Sequence, residues 1–103
     1  MAVRVQEAAS RRIDAIFRYT RDLWGEAEAE AYIGGLFAAF DGIERHATLS
    51  RPVPAEFGVT GFVFKYRQHF VYWRELSDGA IGIVTVLHER MHLIERFHED
   101  FGA

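Results

Sequence analysis

From Glu7 to Ile43 the apolar residues return every three or four positions, whereas from Phe62 to His88 they alternate or run together. The two halves of the chain therefore cannot adopt the same secondary structure. The changeover falls within 47–61, a stretch that holds both prolines, Pro52 and Pro54, together with Gly58 and Gly61. It has no sustained period and reads as a connecting loop. A helical half and a sheet half must then pack on each other as a single domain, 1–103, because 103 residues can bury one core and little more.

In the helical half, Ala9, Ile13, Ile16, Phe17, Thr20, Leu23 and Trp24 form the stripe of a first helix from Glu7 to Trp24, and Gly25 is its natural stop. A second helix starts at once. Glu26, Glu28 and Glu30 occupy its first turns, where carboxylates complement the helix dipole. Ala29, Tyr32, Ile33, Leu36, Phe37, Phe40 and Ile43 make its buried stripe. Gly34-Gly35 costs about 1 kcal/mol per glycine relative to alanine, which predicts a close approach by the first helix in compensation. With almost no loop between them, the two helices are expected to form an antiparallel hairpin.

Val3-Arg4-Val5 reads as a short first strand, and Phe62 to Tyr66, His69 to Leu76 and Ala80 to His88 as three more. Ser77-Asp78-Gly79 is the tight turn joining the last two. From Glu89 onward, Met91, Ile94, Phe97, His98 and Phe101 return to helical spacing and predict a closing helix. The expected fold class is α+β in the order β-α-α-β-β-β-α, an antiparallel sheet packed on an N-terminal helical hairpin. In the middle strand Phe70, Tyr72, Arg74 and Leu76 share one face and His69, Val71, Trp73 and Glu75 the other. Both faces carry large apolar groups and the hairpin covers one. Aromatic surface is therefore expected to stay exposed, for a partner or for a second copy of the chain.

Composition removes several classes of function. No stretch approaches the roughly 20 apolar residues of a membrane span, and the first residues lead into charge rather than into an apolar signal core, so a cytoplasmic protein off the membrane is expected. The absence of cysteine excludes disulfides, thiol catalysis and cysteine-based zinc sites. A net charge of −3 argues against coating nucleic acid by electrostatics alone. Of the 12 basic residues only Lys65 is lysine. That bias suits planar, bidentate contacts, although GC-rich coding would produce it too.

His88-Glu89-Arg90-Met91-His92 fits H-E-x-x-H, in which two histidines one helical turn apart hold zinc and the glutamate is the general base. That chemistry needs a regular helix through both histidines and a third ligand from elsewhere. Ile81, Ile83, Thr85 and Leu87 alternate with Gly82, Val84, Val86 and His88, which makes His88 the end of a strand instead, and neither metal nor cofactor is expected. Arg67, Arg74, His88, Arg90 and His92 could make a ribonuclease-like cluster, arginine stabilising a phosphorane and histidine moving protons. Arg67 and Arg74 also read as solvated gatekeepers flanking strands, the commoner role for charges at strand ends, and the spacing alone decides neither reading. His46 and His69 read as structural. No phosphate-binding loop, nucleophile elbow or dinucleotide fingerprint is present.

Taken together, Val71-Tyr72-Trp73-Arg74, then Asp78-Gly79, then Ile83-Val84-Thr85-Val86-Leu87-His88-Glu89-Arg90-Met91 resemble the ParE branch of the RelE/ParE toxins of bacterial type II toxin–antitoxin modules. The resemblance runs from Val3 to about Phe97, and it lies in the order and spacing of the pieces rather than in any one of them. It implies a growth-inhibiting toxin with DNA gyrase as its target, no catalytic residues, and neutralisation by a ParD-like antitoxin whose largely helical C-terminal segment lies on an apolar surface. It also implies assembly as a homodimer or a toxin–antitoxin heterotetramer, with no sequence-specific DNA binding by the toxin alone. The residues expected at partner contacts are Phe62, Phe64, Tyr72, Trp73, Arg74, Arg90, Met91, Ile94 and Phe97. The alternative within the superfamily is a RelE-type ribosome-dependent mRNA endonuclease, for which Arg67, Arg74, His88, Arg90 and His92 are the available residues. No tyrosine follows Tyr72, so the C-terminal tyrosine common in those nucleases is missing. Trp73 stands where the family often has tyrosine, and Arg12 where an acidic residue is frequent.

Overall fold

A computed structural model describes residues 3–90 and residue 100. After β1 (Val3–Val5) come α1 (Glu7–Trp24) and α2 (Glu26–Glu44), with Gly25 as the whole connection. Its φ of 97° is open to glycine and strained for any side chain. The Gly25 N–H donates to the Arg21 carbonyl at 2.8 Å and its own carbonyl accepts from Ala29 at 3.1 Å, so one residue closes α1 and opens α2. The remaining strands are β2 (Arg51–Pro52), β3 (Phe62–Tyr66), β4 (His69–Glu75) and β5 (Ile81–His88).

The five strands form one sheet in the order β1-β5-β4-β3-β2. The sheet expected from the sequence was antiparallel; here β2 to β5 are antiparallel, but β1 runs parallel to β5, pairing Val3 with Ile81 and Val5 with Ile83. Two helices separate β1 from its partner, so no hairpin turn forces it to run the other way. β2 lies within the stretch read as loop. Its Pro52 is tolerated because β2 is an edge strand.

A β-bulge shapes the centre of the sheet. Tyr72 pairs with Thr85 but Trp73 pairs with Ile83, which leaves Val84 as an extra residue in β5. The simple alternation read from the sequence therefore breaks there. Ile81, Ile83 and Val86 join the core beneath the helices with Ala9, Ile13, Leu36, Phe40, Ile43, Phe64 and Val71. Val84 and Leu87 join a second core with Val63 and Tyr72, on the opposite face. Val53 and Phe57 cover that face, Phe57 from a 3-10 turn at Ala55–Phe57. The segment that looked like a plain linker is thus the second layer of the fold.

The last turn of α1 departs from its predicted stripe: Leu23 is 55% and Trp24 71% exposed. Of the closing helix expected from Glu89, Glu89 and Arg90 form a turn and Asp100 is helical, while Met91, Ile94, Phe97, His98 and Phe101 lie outside the described residues. One oxygen of the Asp100 carboxylate accepts Nε–H from Arg12 at 2.7 Å and the hydroxyl of Thr85 at 2.8 Å. Thr85 is fully buried in β5, so this carboxylate satisfies a hydroxyl that would otherwise cost about 1–3 kcal/mol.

The glycine pair in α2 is explained by the sheet and not, as expected, by α1. A Cβ on Gly35 would collide with the phenol of Tyr66 in β3, whereas one on Gly34 would meet open space. Tyr66 cannot easily yield, since its hydroxyl donates to the Tyr32 carbonyl at 3.3 Å and its ring packs edge-on against Tyr32. Gly35→Ala should accordingly lower stability by about 1–3 kcal/mol through overpacking. Gly34→Ala should raise it by up to about 1 kcal/mol through helix propensity. Thermal unfolding of the two variants checks this; equal shifts for both would contradict the assigned contact.

Candidate functional site

A cleft of about 790 Å³ opens between the helices and one end of the sheet. Arg12, Ile16, Tyr19, Thr20 and Trp24 of α1 and Glu28 and Tyr32 of α2 form one wall. The other wall is Arg67 and Gln68 of the β3–β4 turn, His69 of β4, Val86 and His88 of β5, and Glu89 and Arg90 beyond it. Tyr66 pairs with His69, so Arg67-Gln68 is a two-residue hairpin loop, and Arg67 adopts a φ of 53° that glycine or asparagine normally supplies. Its guanidinium lies over the rings of Tyr32 and Tyr66, at 5.4 and 5.7 Å from their centroids. Cation–π attraction of this kind offsets part of the backbone strain.

Behind Arg67 the polar groups form a chain. Tyr32 Oη and His69 Nδ1 are 2.6 Å apart, and the Gln68 backbone N–H donates to the same phenol. The Tyr32–His69 contact is one short hydrogen bond whose donor is set by the His69 tautomer. Burial pushes the Tyr32 phenol up and holds His69 down at about 4, with neighbouring His88 adding to the latter. The two imidazoles meet edge to face with centroids 5.2 Å apart. His88 Nδ1 accepts the backbone N–H of Arg90 at 3.0 Å, so its ring proton sits on Nε2. The carboxylate of Glu89 accepts from Lys65 at 2.8 Å, and that hydrogen bond holds it below its ordinary range.

The structure gathers Arg67, His88 and Arg90 from the ribonuclease-like set. Arg74 pairs with Gly82 at the far end of the β4–β5 ladder, five residues from His69, which is roughly 16 Å along a strand. His92 lies outside the described residues. A zinc motif needs His88 on a helix, and His88 is instead the last residue of β5. His69, read from the sequence as merely structural, lines the cleft; its alternation with Tyr66 across a turn lacking glycine gave no signal of this.

Among the residues expected at partner contacts, Phe64 and Tyr72 are buried in the two cores and unavailable to a partner unless those cores open. Phe62 is 38% exposed and stacks on half-buried Trp73 with centroids 4.6 Å apart. Trp73 donates its indole N–H to Ser50 Oγ at 3.0 Å, beside the exposed Leu49. Arg90 is exposed at the cleft, and Met91, Ile94 and Phe97 lie outside the described residues. A second apolar patch, Tyr19, Leu23 and Trp24 at the end of α1, had been assigned in part to the helix's buried stripe.

Because His69 stays neutral in the folded chain down to about 4, while an unfolded histidine titrates near 6.5, the unfolded state binds more protons between those values. Stability contributed by this site is full above pH 6.5 and is lost as the pH falls toward 4. His69→Gln should flatten the dependence of unfolding free energy on pH across that window, measured by urea titration; an unchanged slope would contradict the burial argument.

With the fold and the cleft described, comparison with known proteins is direct. A family model for the ParE toxin of the type II toxin–antitoxin system parDE matches residues 3–93. Toxin ParE1 of Mycobacterium tuberculosis is 30% identical over 84 residues, which cover 82% of this chain and 85% of that protein. A solved structure described as the chromosomal ParDE TA system from P. aeruginosa superimposes with a TM-score of 0.68 at 16% identity, covering 85% of this chain and 95% of that one. At that identity the structural likeness speaks for the fold alone. The match over 3–93 and the relationship to Toxin ParE1 show that this chain belongs to the ParE toxin family of type II toxin–antitoxin systems.

Proposed function

We propose that this ParE-type toxin arrests growth by binding DNA gyrase and is held inactive by a ParD-like antitoxin. The observation that carries this reading is the family match across residues 3–93, whose description names the parDE pair. The solved neighbour is likewise a ParDE system. Inhibition by binding asks only for a stable scaffold with exposed apolar anchors, and the described residues include two such patches. One is Phe62 stacked on Trp73 beside Leu49, and the other is Tyr19, Leu23 and Trp24.

The antitoxin contact is assigned to the Phe62–Trp73 patch; Arg90 lies at the other end of the sheet, with His69 and His88. Exposed aromatic rings are among the residue types that dominate binding energy at interfaces. A C-terminal antitoxin segment laid on an apolar surface is a groove-filling mode that suits this arrangement. The assembly follows as a toxin–antitoxin heterotetramer, with a toxin homodimer as the competing outcome of a mass measurement. The gathering of Arg67, His88 and Arg90 is compatible with phosphate chemistry, but Arg74 stands apart from it.

Purified toxin in excess should block supercoiling by gyrase while leaving mRNA intact on translating ribosomes. Unimpaired supercoiling together with codon-placed cleavage would replace this reading with the endonuclease one. Phe62→Asp should weaken antitoxin binding at least tenfold, about 1.4 kcal/mol, without unfolding the toxin. Affinity unchanged by calorimetry would move the contact elsewhere.

A further inference from the structure

The cleft is divided chemically. At one end stand two guanidinium groups, Arg67 and Arg90, and two imidazoles, His69 and His88. Both imidazoles have Nδ1 occupied, and His88, whose Nδ1 accepts the Arg90 backbone N–H, presents an Nε2–H. Guanidinium groups have no acceptor at all. This end is therefore rich in donors, with the Glu89 carboxylate engaged by Lys65, and an oxyanion suits it. A carboxylate accepts about four hydrogen bonds on its two oxygens, so donor number alone does not select the ligand; the charge of about −1.5 to −2 on a phosphomonoester is what matches two guanidinium groups better than a single carboxylate does.

The neighbouring charges do not cancel this end. Glu89 is tied to Lys65 and Asp100 to Arg12, each within 2.8 Å, which leaves Glu28 as the remaining carboxylate of the lining among the described residues. Glu28 lies toward the other end of the cleft, on the first turn of α2 beside Trp24 and Tyr19. Trp24 is 71% and Tyr19 68% exposed, and neither has an apolar reason to line an open cleft. Exposed aromatic rings are stacking platforms for planar bases, and a carboxylate beside them accepts hydrogen bonds from a base amine or a ribose hydroxyl.

We propose that this cleft binds a nucleoside monophosphate, with the phosphate on Arg67, His69, His88 and Arg90 and the nucleoside toward Trp24, Tyr19 and Glu28. Calorimetric titration of the intact toxin with GMP, ribose 5-phosphate, inorganic phosphate and N-acetylglutamate tests it. GMP should bind at least tenfold more tightly than inorganic phosphate, with ribose 5-phosphate between them and N-acetylglutamate weakest. Arg67→Gln should weaken GMP at least tenfold. Trp24→Ala, an exposed position that does not threaten the fold, should weaken GMP about tenfold and leave inorganic phosphate unchanged, as expected for loss of a stacked base. Equal binding of GMP and inorganic phosphate, a preference for N-acetylglutamate, no binding, or GMP affinity indifferent to both substitutions would each overturn the proposal.

Discussion

Everything in this fold leans on β5 being dry on both faces. Ile81 through Leu87 are all buried, and the strand is paired with β1 on one side and β4 on the other. A strand in that position must be apolar along its length, because no side chain has a route to water. The helices bury one face and the Val53–Phe57 segment the other, so neither layer is held in place without β5. The single polar residue among Ile81 to Leu87, Thr85, is admitted because its hydroxyl donates to Asp100, whose carboxylate is itself paired with Arg12. Arg12 thereby has a carboxylate partner 88 residues away.

The cleft exists because β5 outruns β1. Past Ile83 the first strand no longer accompanies it, and the space beside Val86 and His88 is bounded by α1, the start of α2 and the β3–β4 turn. Burial in this space favours neutral, hydrogen-bonded groups over lone charges. Tyr32 and His69 follow that rule, both shifted toward their neutral forms, while the charged Arg67 escapes by lying across two aromatic faces.

Much of this was legible beforehand, and the exceptions share a cause. Helical period placed α1 and α2 to the residue at their shared boundary, Gly25, and alternation placed β3, β4 and β5, including His88 as a strand end. The face assignment of Val71 and Trp73 against Phe70 and Tyr72 also holds. What was missed depends on contacts distant in sequence: the parallel pairing of β1, the bulge at Val84, Tyr66 filling the space over Gly35, and Val53 and Phe57 folding onto the second face. Local pattern cannot report such contacts. The cleft was half visible, since Arg67, His88 and Arg90 were already singled out, but His69 and Tyr32 enter it only through a turn whose arginine does not advertise a left-handed residue.

Native-state hydrogen exchange along β5 addresses the dependence of the fold on that strand most directly. The hydrogen-bonded amides of Ile81 to Leu87 should exchange only through global unfolding, with an opening free energy equal to that from urea denaturation and the same denaturant dependence. Protection in α2 should equal or fall below it, and the amides of Val53, Phe57 and Gly58 should open at lower cost. If β5 exchanged through a smaller opening than α2, the helices would be stable without the strand, and the account of β5 as the element on which both cores rest would be wrong.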